Sequence, residues 1–315
     1  MLLTTLGLTG ALAATGWTVT GFVGADAEAR HPPAGRFVTL ERGRMHLMDS
    51  GMPHDGAPTI LLIHGASSHH ADLYAVFAPR LRHEARVIAI DRPGHGWSDR
   101  LGGREMSDPA RQADAIIAAL AEIGVTRATI IGHSLAGAVA TNIALERPDL
   151  VSGLVLLGAV THPWPGKDIT WYYHPASRPV LGGLFSRLLA IPAGSLMLGP
   201  SIDGVFAPQS APRDYAETAQ TRLVLRPATF EANALDVKVM YDFVDRQWPR
   251  YGELAMPVVA IAGDKDTIVW TDIHSRAIAK QARNGTLIVL PGVGHMPHHV
   301  VPDLIAREAL AIARL

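Results

Sequence analysis

The order of apolar and polar positions divides the chain into an uncharged leader, a region of alternating strands and helices, a proline-broken middle and a second alternating region. Residues 1–25 carry no charged side chain, and Leu, Ala, Val, Phe and Trp are spread among Gly and Thr. After His31-Pro32-Pro33, a junction that stops a helix, residues 37–41 and 45–49 flank Arg42-Gly43-Arg44 and predict an antiparallel hairpin. Residues 59–64 form an uninterrupted apolar run, the pattern of a strand buried on both faces of a parallel sheet. Helical stretches near 71–83, 107–123 and 134–146 then alternate with strands at 86–91, 128–132 and 153–157. Strands at 258–262 and 286–290, with a helix between them, and a last helix near 303–313 complete the pattern. Strand and helix in repeated alternation predict an α/β fold with a mostly parallel, doubly wound sheet.

Residues 160–228 break that rhythm. Pro163, Pro165, Pro175, Pro179, Pro192, Pro200, Pro208 and Pro212 are interleaved there with aromatics and short apolar pieces, so the segment reads as a cap inserted into a core of residues 31–159 and 229–315. Trp164, Trp171, Tyr172, Tyr173, Leu184, Phe185, Leu188 and Leu189 either line a pocket or pack the cap onto the body. Residues 1–30 stand apart as a hydrophobic anchor or signal segment, since a helix crossing a bilayer needs ~20 apolar residues. Ala25 and Ala27, or Ala27 and Ala29, also have the small-x-small spacing of a processing site, and a packed tail is a third reading. The expected location is membrane-anchored or exported.

Charge and composition narrow the partners. Lys plus Arg number 28 against 29 Asp plus Glu, which leaves no net field to recruit nucleic acid, and a small neutral substrate is expected. The absence of cysteine removes disulfides, thiolate metal ligands and a cysteine nucleophile.

The chemistry concentrates in Gly132-His133-Ser134-Leu135-Ala136-Gly137, between an apolar strand and an Ala-rich helix. A serine on a tight strand-to-helix turn is held out of the sheet with its hydroxyl exposed, and small neighbours relieve the crowding. The helix that follows points unpaired amides toward the place where an oxyanion develops.

On these residues the chain resembles the α/β-hydrolase superfamily over roughly residues 35–315. The usual elbow is Gly-x-Ser-x-Gly; here Ala136 takes the last position and Gly137 follows. The resemblance implies Ser134 as nucleophile, with an acid and then a histidine on later loops after strands. Asp266, in Gly263-Asp264-Lys265-Asp266, is the expected acid, with Asp264 as the competing choice, and His295, in Gly292-Val293-Gly294-His295, is the expected base. By the same resemblance, His64-Gly65-Ala66 supplies one oxyanion donor, so that the backbone N–H groups of Ala66 and Leu135 form the oxyanion hole. Ser67, Ser68, His69 and His70 read as solvated loop residues, and Asp91-Arg92-Pro93-Gly94-His95-Gly96-Trp97-Ser98 as a structural turn. No cofactor and no metal are expected: His295, His298 and His299, and likewise His69 and His70, have a spacing that suggests metal, but the sequence has no cysteine and no clustered carboxylates, and His295 is already needed by the triad.

The expected activity is cleavage of a small or hydrophobic carboxylic ester through an acyl-enzyme. The same triad also serves carbon–carbon bond hydrolases and cofactor-free perhydrolases, whereas haloalkane dehalogenases and epoxide hydrolases require an aspartate where Ser134 stands. A non-catalytic, membrane-tethered binding protein is the alternative from another class. Oligomeric state is not legible in the sequence.

Overall fold

A computed structural model describes residues 2–315. Helix α1 (Leu2–Arg30) precedes the hairpin β1 (Arg36–Leu40) and β2 (Gly43–Asp49). The first alternating region runs β3 (Thr59–Ile63), α2 (His70–Leu81), β4 (Arg86–Ile90), α3 (Pro109–Glu122), β5 (Ala128–His133), α4 (Ala136–Glu146) and β6 (Val151–Leu157). Short helices α5 (Tyr173–Ala176), α6 (Leu181–Phe185), α7 (Ile191–Phe206) and α8 (Tyr215–Thr218) lead to the long α9 (Pro227–Gln247). β7 (Pro257–Gly263), α10 (Ser275–Gln281), β8 (Asn284–Leu290), α11 (Pro297–Val300) and α12 (Pro302–Ala313) close the chain.

The eight strands form one sheet in the order β1-β2-β4-β3-β5-β6-β7-β8. β1 and β2 pair antiparallel and β2 is antiparallel to β4, while every pair from β4 to β8 is parallel. The central strands are apolar on both faces because both are covered. Leu61, Ile63, Ile88 and Ile130 pack with Ile116, Val139 and Ile143 of α3 and α4, whereas Ile60, Leu62, Val87 and Ile131 pack with Phe77 and Leu81 of α2 and Ile305 and Ile312 of α12. Full burial of each such aliphatic side chain contributes ~1.5–3 kcal/mol, so the two layers fix the sheet against sliding. From β3 the chain passes to β4 on one side and then to β5 on the other. The crevice beyond the carboxyl ends of β3 and β5 is therefore a topological switch point, where α/β sheets collect their ligands.

α1 departs from the sequence expectation, which sets residues 1–30 apart from the fold. From Gly16 onward it packs on the helices between β6 and β7: a Cβ at Gly16 would lie 2.7 Å from the Leu188 carbonyl oxygen, and Thr20 Oγ1 donates to the Arg187 carbonyl at 2.6 Å. Gly16 and Thr20, four residues apart on one helix face, let the backbones approach. Among the described residues, Leu181–Phe206 is the stretch long and apolar enough to cross a membrane by length and composition; Leu181, Leu189 and Leu196 within it are exposed.

Candidate active site

Ser134 follows directly on β5 and has φ +55°, the left-handed region that costs a non-glycine residue ~1–3 kcal/mol. Three backbone hydrogen bonds hold it there: Ser134 N donates to Leu157 O at 3.0 Å, and Gly137 N and Val160 N both donate to Ser134 O at 2.9 Å. The crowded positions of the turn are glycines. A Cβ at Gly137 would sit 2.7 Å from the Ala159 Cβ, and one at Gly132 would sit 3.2 Å from the Ala140 Cβ, whereas Ala136 fits its methyl group into the core. The alanine at the position where the family has glycine is thus accommodated, because the bare backbone is needed one residue later.

The loops after β7 and β8 bring the other two groups to the same edge. His295 Nε2 lies 3.0 Å from Ser134 Oγ, and His295 Nδ1 lies 2.8 Å from Asp266 Oδ2. The second oxygen of Asp266 accepts from the amides of Ile268 and Val269 at 2.9 Å each, so the carboxylate is fixed by its own turn before it meets the imidazole. Asp264 turns away: its carboxylate accepts from the Gly292 amide at 2.7 Å, and its side chain is 40% exposed. Two glycines make room for this arrangement. At Gly158, at the end of β6, a Cβ would lie 3.1 Å from Asp266 Oδ2 and 3.3 Å from His295 Nδ1; at Gly263 it would collide with the Val293 carbonyl at 1.9 Å.

The loop after β3 runs against Ser134, a Cβ at Gly65 falling 2.9 Å from the Ser134 Cβ. Ala66 is the next residue of that loop and packs in one apolar cluster with Leu135, which follows Ser134. The Gly65 carbonyl accepts from His64 Nδ1 at 2.8 Å and from Arg92 Nη2 at 3.0 Å, which fixes its direction. His64 Nε2 in turn accepts from the Arg92 amide at 3.0 Å, and burial, with Arg92 adding to it, pushes the imidazole well below its ordinary pKa and keeps it neutral. Arg92 is itself fully buried and bonded to Asp236 at 2.7 Å and Gln112 at 2.8 Å. The segment 91–98 is structural in this sense: Asp91 accepts from His46 and His70 and from the Trp97 amide, and Arg92 braces the loop after β3.

Sequence reasoning missed several supports. Asn233 on α9 accepts from the Ser67 amide at 2.7 Å and donates to Ser67 Oγ at 2.9 Å and to the Tyr173 hydroxyl at 3.3 Å, tying the loop after Ala66 to α5 and α9. His133 Nε2 donates to the His295 carbonyl at 3.0 Å, and its ring lies between those of His295, tilted to it, and His298, edge-on to it. His69 and His70 are buried rather than solvated, because the Gln220 carbonyl covers one and Asp91 holds the other. A Gly-His-Ser string marks His133 in sequence; nothing local marks Asn233.

Ser134, His295 and Asp266 are 9%, 4% and 7% exposed, and Leu135 beside the serine packs against Met240, Phe243 and Val244 of α9. Two open clefts, of about 460 and 660 Å³, lie elsewhere and none of the three lines either.

The chain is 30% identical over 299 residues to an uncharacterised protein of Mycobacterium tuberculosis, a match covering 88% of this chain and 81% of that one. It is 27% identical over 280 residues to a 2-hydroxy-6-oxononadienedioate/2-hydroxy-6-oxononatrienedioate hydrolase of Paraburkholderia xenovorans, covering 82% of this chain and 88% of the relative. Among solved structures, a bacterial membrane phospholipase A superposes with a TM-score of 0.68 at 21% identity, covering 99% of this chain and 98% of the other. A sequence model of the alpha/beta hydrolase fold matches residues 58–302, more than half the chain, and the chain is an enzyme that belongs to the α/β-hydrolase family.

Proposed function

We propose that the chain is a serine hydrolase that cleaves carboxylic esters with a hydrophobic acyl part, held at a membrane by α1. The relay from Asp266 through His295 to Ser134, at 2.8 and 3.0 Å, carries this reading. Asp266 holds the Nδ1–H tautomer, which leaves Nε2 free to take the hydroxyl proton as Ser134 Oγ attacks the ester carbonyl. The oxyanion that forms rests on the N–H groups of Ala66 and Leu135, each such donor being worth ~3–4 kcal/mol in the transition state. His295 then gives its proton to the departing alcohol. Water, deprotonated by the same imidazole, attacks the acyl-enzyme and releases the acid with Ser134 restored.

Names of relatives point to a second reading, cleavage of a carbon–carbon bond in a dicarboxylate, as in the Paraburkholderia hydrolase. The ester reading is favoured because Arg92, the cation that reaches the oxyanion loop, is already committed to Asp236 and Gln112 and has no free face for a second carboxylate.

The membrane part rests on the uncharged residues 1–25 and on Trp17, half exposed with the Arg187 guanidinium 5.5 Å from its ring, a pairing suited to the membrane–water interface. Exposed Leu181, Leu189 and Leu196 extend the apolar surface beside it. The likeness to the membrane phospholipase A runs through α1 as well, since it covers 99% of the chain. A processing cut near Ala27 would strip a packed helix from its neighbours, for Ala27 is fully buried, so an uncleaved anchor is the form proposed.

Covalent labelling by a fluorophosphonate probe, lost in Ser134→Ala, and faster turnover as the acyl chain of p-nitrophenyl esters lengthens are the expected results. A folded wild-type protein that takes no label overturns the catalytic reading. Recovery of the full chain in the soluble fraction after expression overturns the anchor.

A further inference from the structure

His298 and His299 follow His295 by three and four positions and take no part in the relay, and the fold supplies a carboxylate beside them. Asp72 on α2 is more than 220 positions away, yet its two oxygens each face one imidazole: His298 Nε2 lies 3.2 Å from Oδ2 and His299 Nε2 lies 2.9 Å from Oδ1. One donor atom from each of the three falls within 4.8 Å of the others. We propose that Asp72, His298 and His299 form a binding site for one divalent transition-metal ion of the Zn²⁺ type, separate from the catalytic serine.

The donor set and its surroundings argue for a cation. Two imidazoles and one carboxylate are the ligands that borderline metals select, and the three donor atoms lie within 4.8 Å of one another, near enough for one ion to reach them all. A carboxylate flanked by two histidines is also the arrangement of a plain ion-pair cluster. Here the cluster differs from a closed one in its access: Asp72, His298 and His299 line an open cleft of about 460 Å³, roofed by Tyr215 and Asp214 of the segment around α8. That cleft, which Arg80 also lines, gives an ion a path in and leaves room for water as a further ligand.

The comparison within this molecule is instructive. His46, His70 and Asp91 form a second group of the same composition. There Asp91 also accepts from the amides of His70 and Trp97, and a Cβ at Gly96 would lie 2.1 Å from its carboxylate, so no space is left. That group is buried throughout and lines neither cleft. The group at Asp72 is the one with room.

An ion there would bind elements that are remote in sequence, α2 and α11 of the body, beneath a roof contributed by α8. His298 also meets His133 edge-on, 4.6 Å between ring centres, so the site lies behind the elbow rather than in it.

The test is titration of the metal-stripped full chain with Co²⁺ and with Zn²⁺, read by the visible absorption of the cobalt form and by metal content after dialysis. One ion per chain, the intense visible bands of a four- or five-coordinate cobalt site, and a rise in unfolding temperature are expected. His299→Ala removes a ligand that is 14% exposed and is expected to weaken binding ~100-fold or more, with Asp72→Asn doing the same. Ser134→Ala is expected to keep both stoichiometry and spectrum. Absence of cobalt bands in the wild-type protein, or bands of unchanged strength in folded His299→Ala, overturns the proposal.

Discussion

Asn233 holds the loop after β3 through a single side-chain amide. It accepts from the Ser67 amide and donates to the Ser67 and Tyr173 hydroxyls, and Ser67 sits in the left-handed region at φ +51°, one residue beyond Ala66. Without the side chain, the loop after β3 loses the bond that sets the direction of its amides, and a donor misplaced by an ångström costs on the order of 100-fold. Asn233→Ala is therefore expected to lower kcat about 10- to 100-fold with KM little changed, and Asn233→Asp, which keeps the acceptor for the Ser67 amide, to recover part of it. Steady-state kinetics on one ester decide it; an unchanged kcat would show that the loop holds its shape alone. Ser134, Asp266 and His295 were legible in the sequence because each follows a strand and stands in a glycine-bearing turn. Asn233 was not, since a helical asparagine has no local pattern and its partner lies 166 positions away.

Elements were read according to how they bury themselves. β3, β4, β5 and β6 are each built on an apolar run, and the expected bounds fall within one or two residues of the observed ones because both faces of each strand are covered. α9 escaped for the opposite reason. Its buried face includes Thr229, Asn233, Asp236 and Gln247, polar residues that satisfy hydrogen bonds and so never make the apolar stripe of a packed helix. Asp236 is the most consequential of them, paired with Arg92 and Arg100 at 2.7 Å each and itself fully buried. Removing it leaves the Arg92 guanidinium buried without its counter-charge, so Asp236→Ala is expected to destabilise the fold by ~3–5 kcal/mol, while Arg92→Met combined with Asp236→Leu recovers most of that loss. Denaturant midpoints of the single and double variants measure it. A single variant within about 1 kcal/mol of wild type would mean that water reaches Arg92.

At the scale of the whole molecule, convergence of the triad follows from topology, since parallel strands deliver all their carboxyl-end loops to one edge. The docking of α1 was invisible, because its partners Arg187 and Leu188 lie some 170 positions on and no pattern within residues 1–30 announces them. The balance of acids and bases likewise hides a pH response that depends on which histidines the fold buries. Burial lowers the His274 imidazole to about 4, and its Nδ1 accepts from the amides of Thr161 at 3.3 Å and His162 at 3.2 Å, bonds that a proton there would break. Burial likewise lowers His69 to about 4. In the unfolded chain both titrate near ~6.5, so as pH falls below that value the unfolded state takes up protons first, and stability that is complete above ~6.5 is lost progressively toward about 4. Asp91 works in a lower window: burial would raise its carboxyl, but His70, His46 and His69 hold it well below the usual range, so its contribution fails only as pH falls through the carboxylate range and beyond. The unfolding temperature is thus expected to be level above pH ~7 and to drop steeply between ~6.5 and ~4. His274→Gln, whose side-chain oxygen still accepts from the two amides, should reduce the slope by one proton's worth in that window. Thermal unfolding followed by circular dichroism across the range tests both, and a wild-type unfolding temperature that stays level down to pH ~5 would show that these imidazoles are not held neutral by the fold.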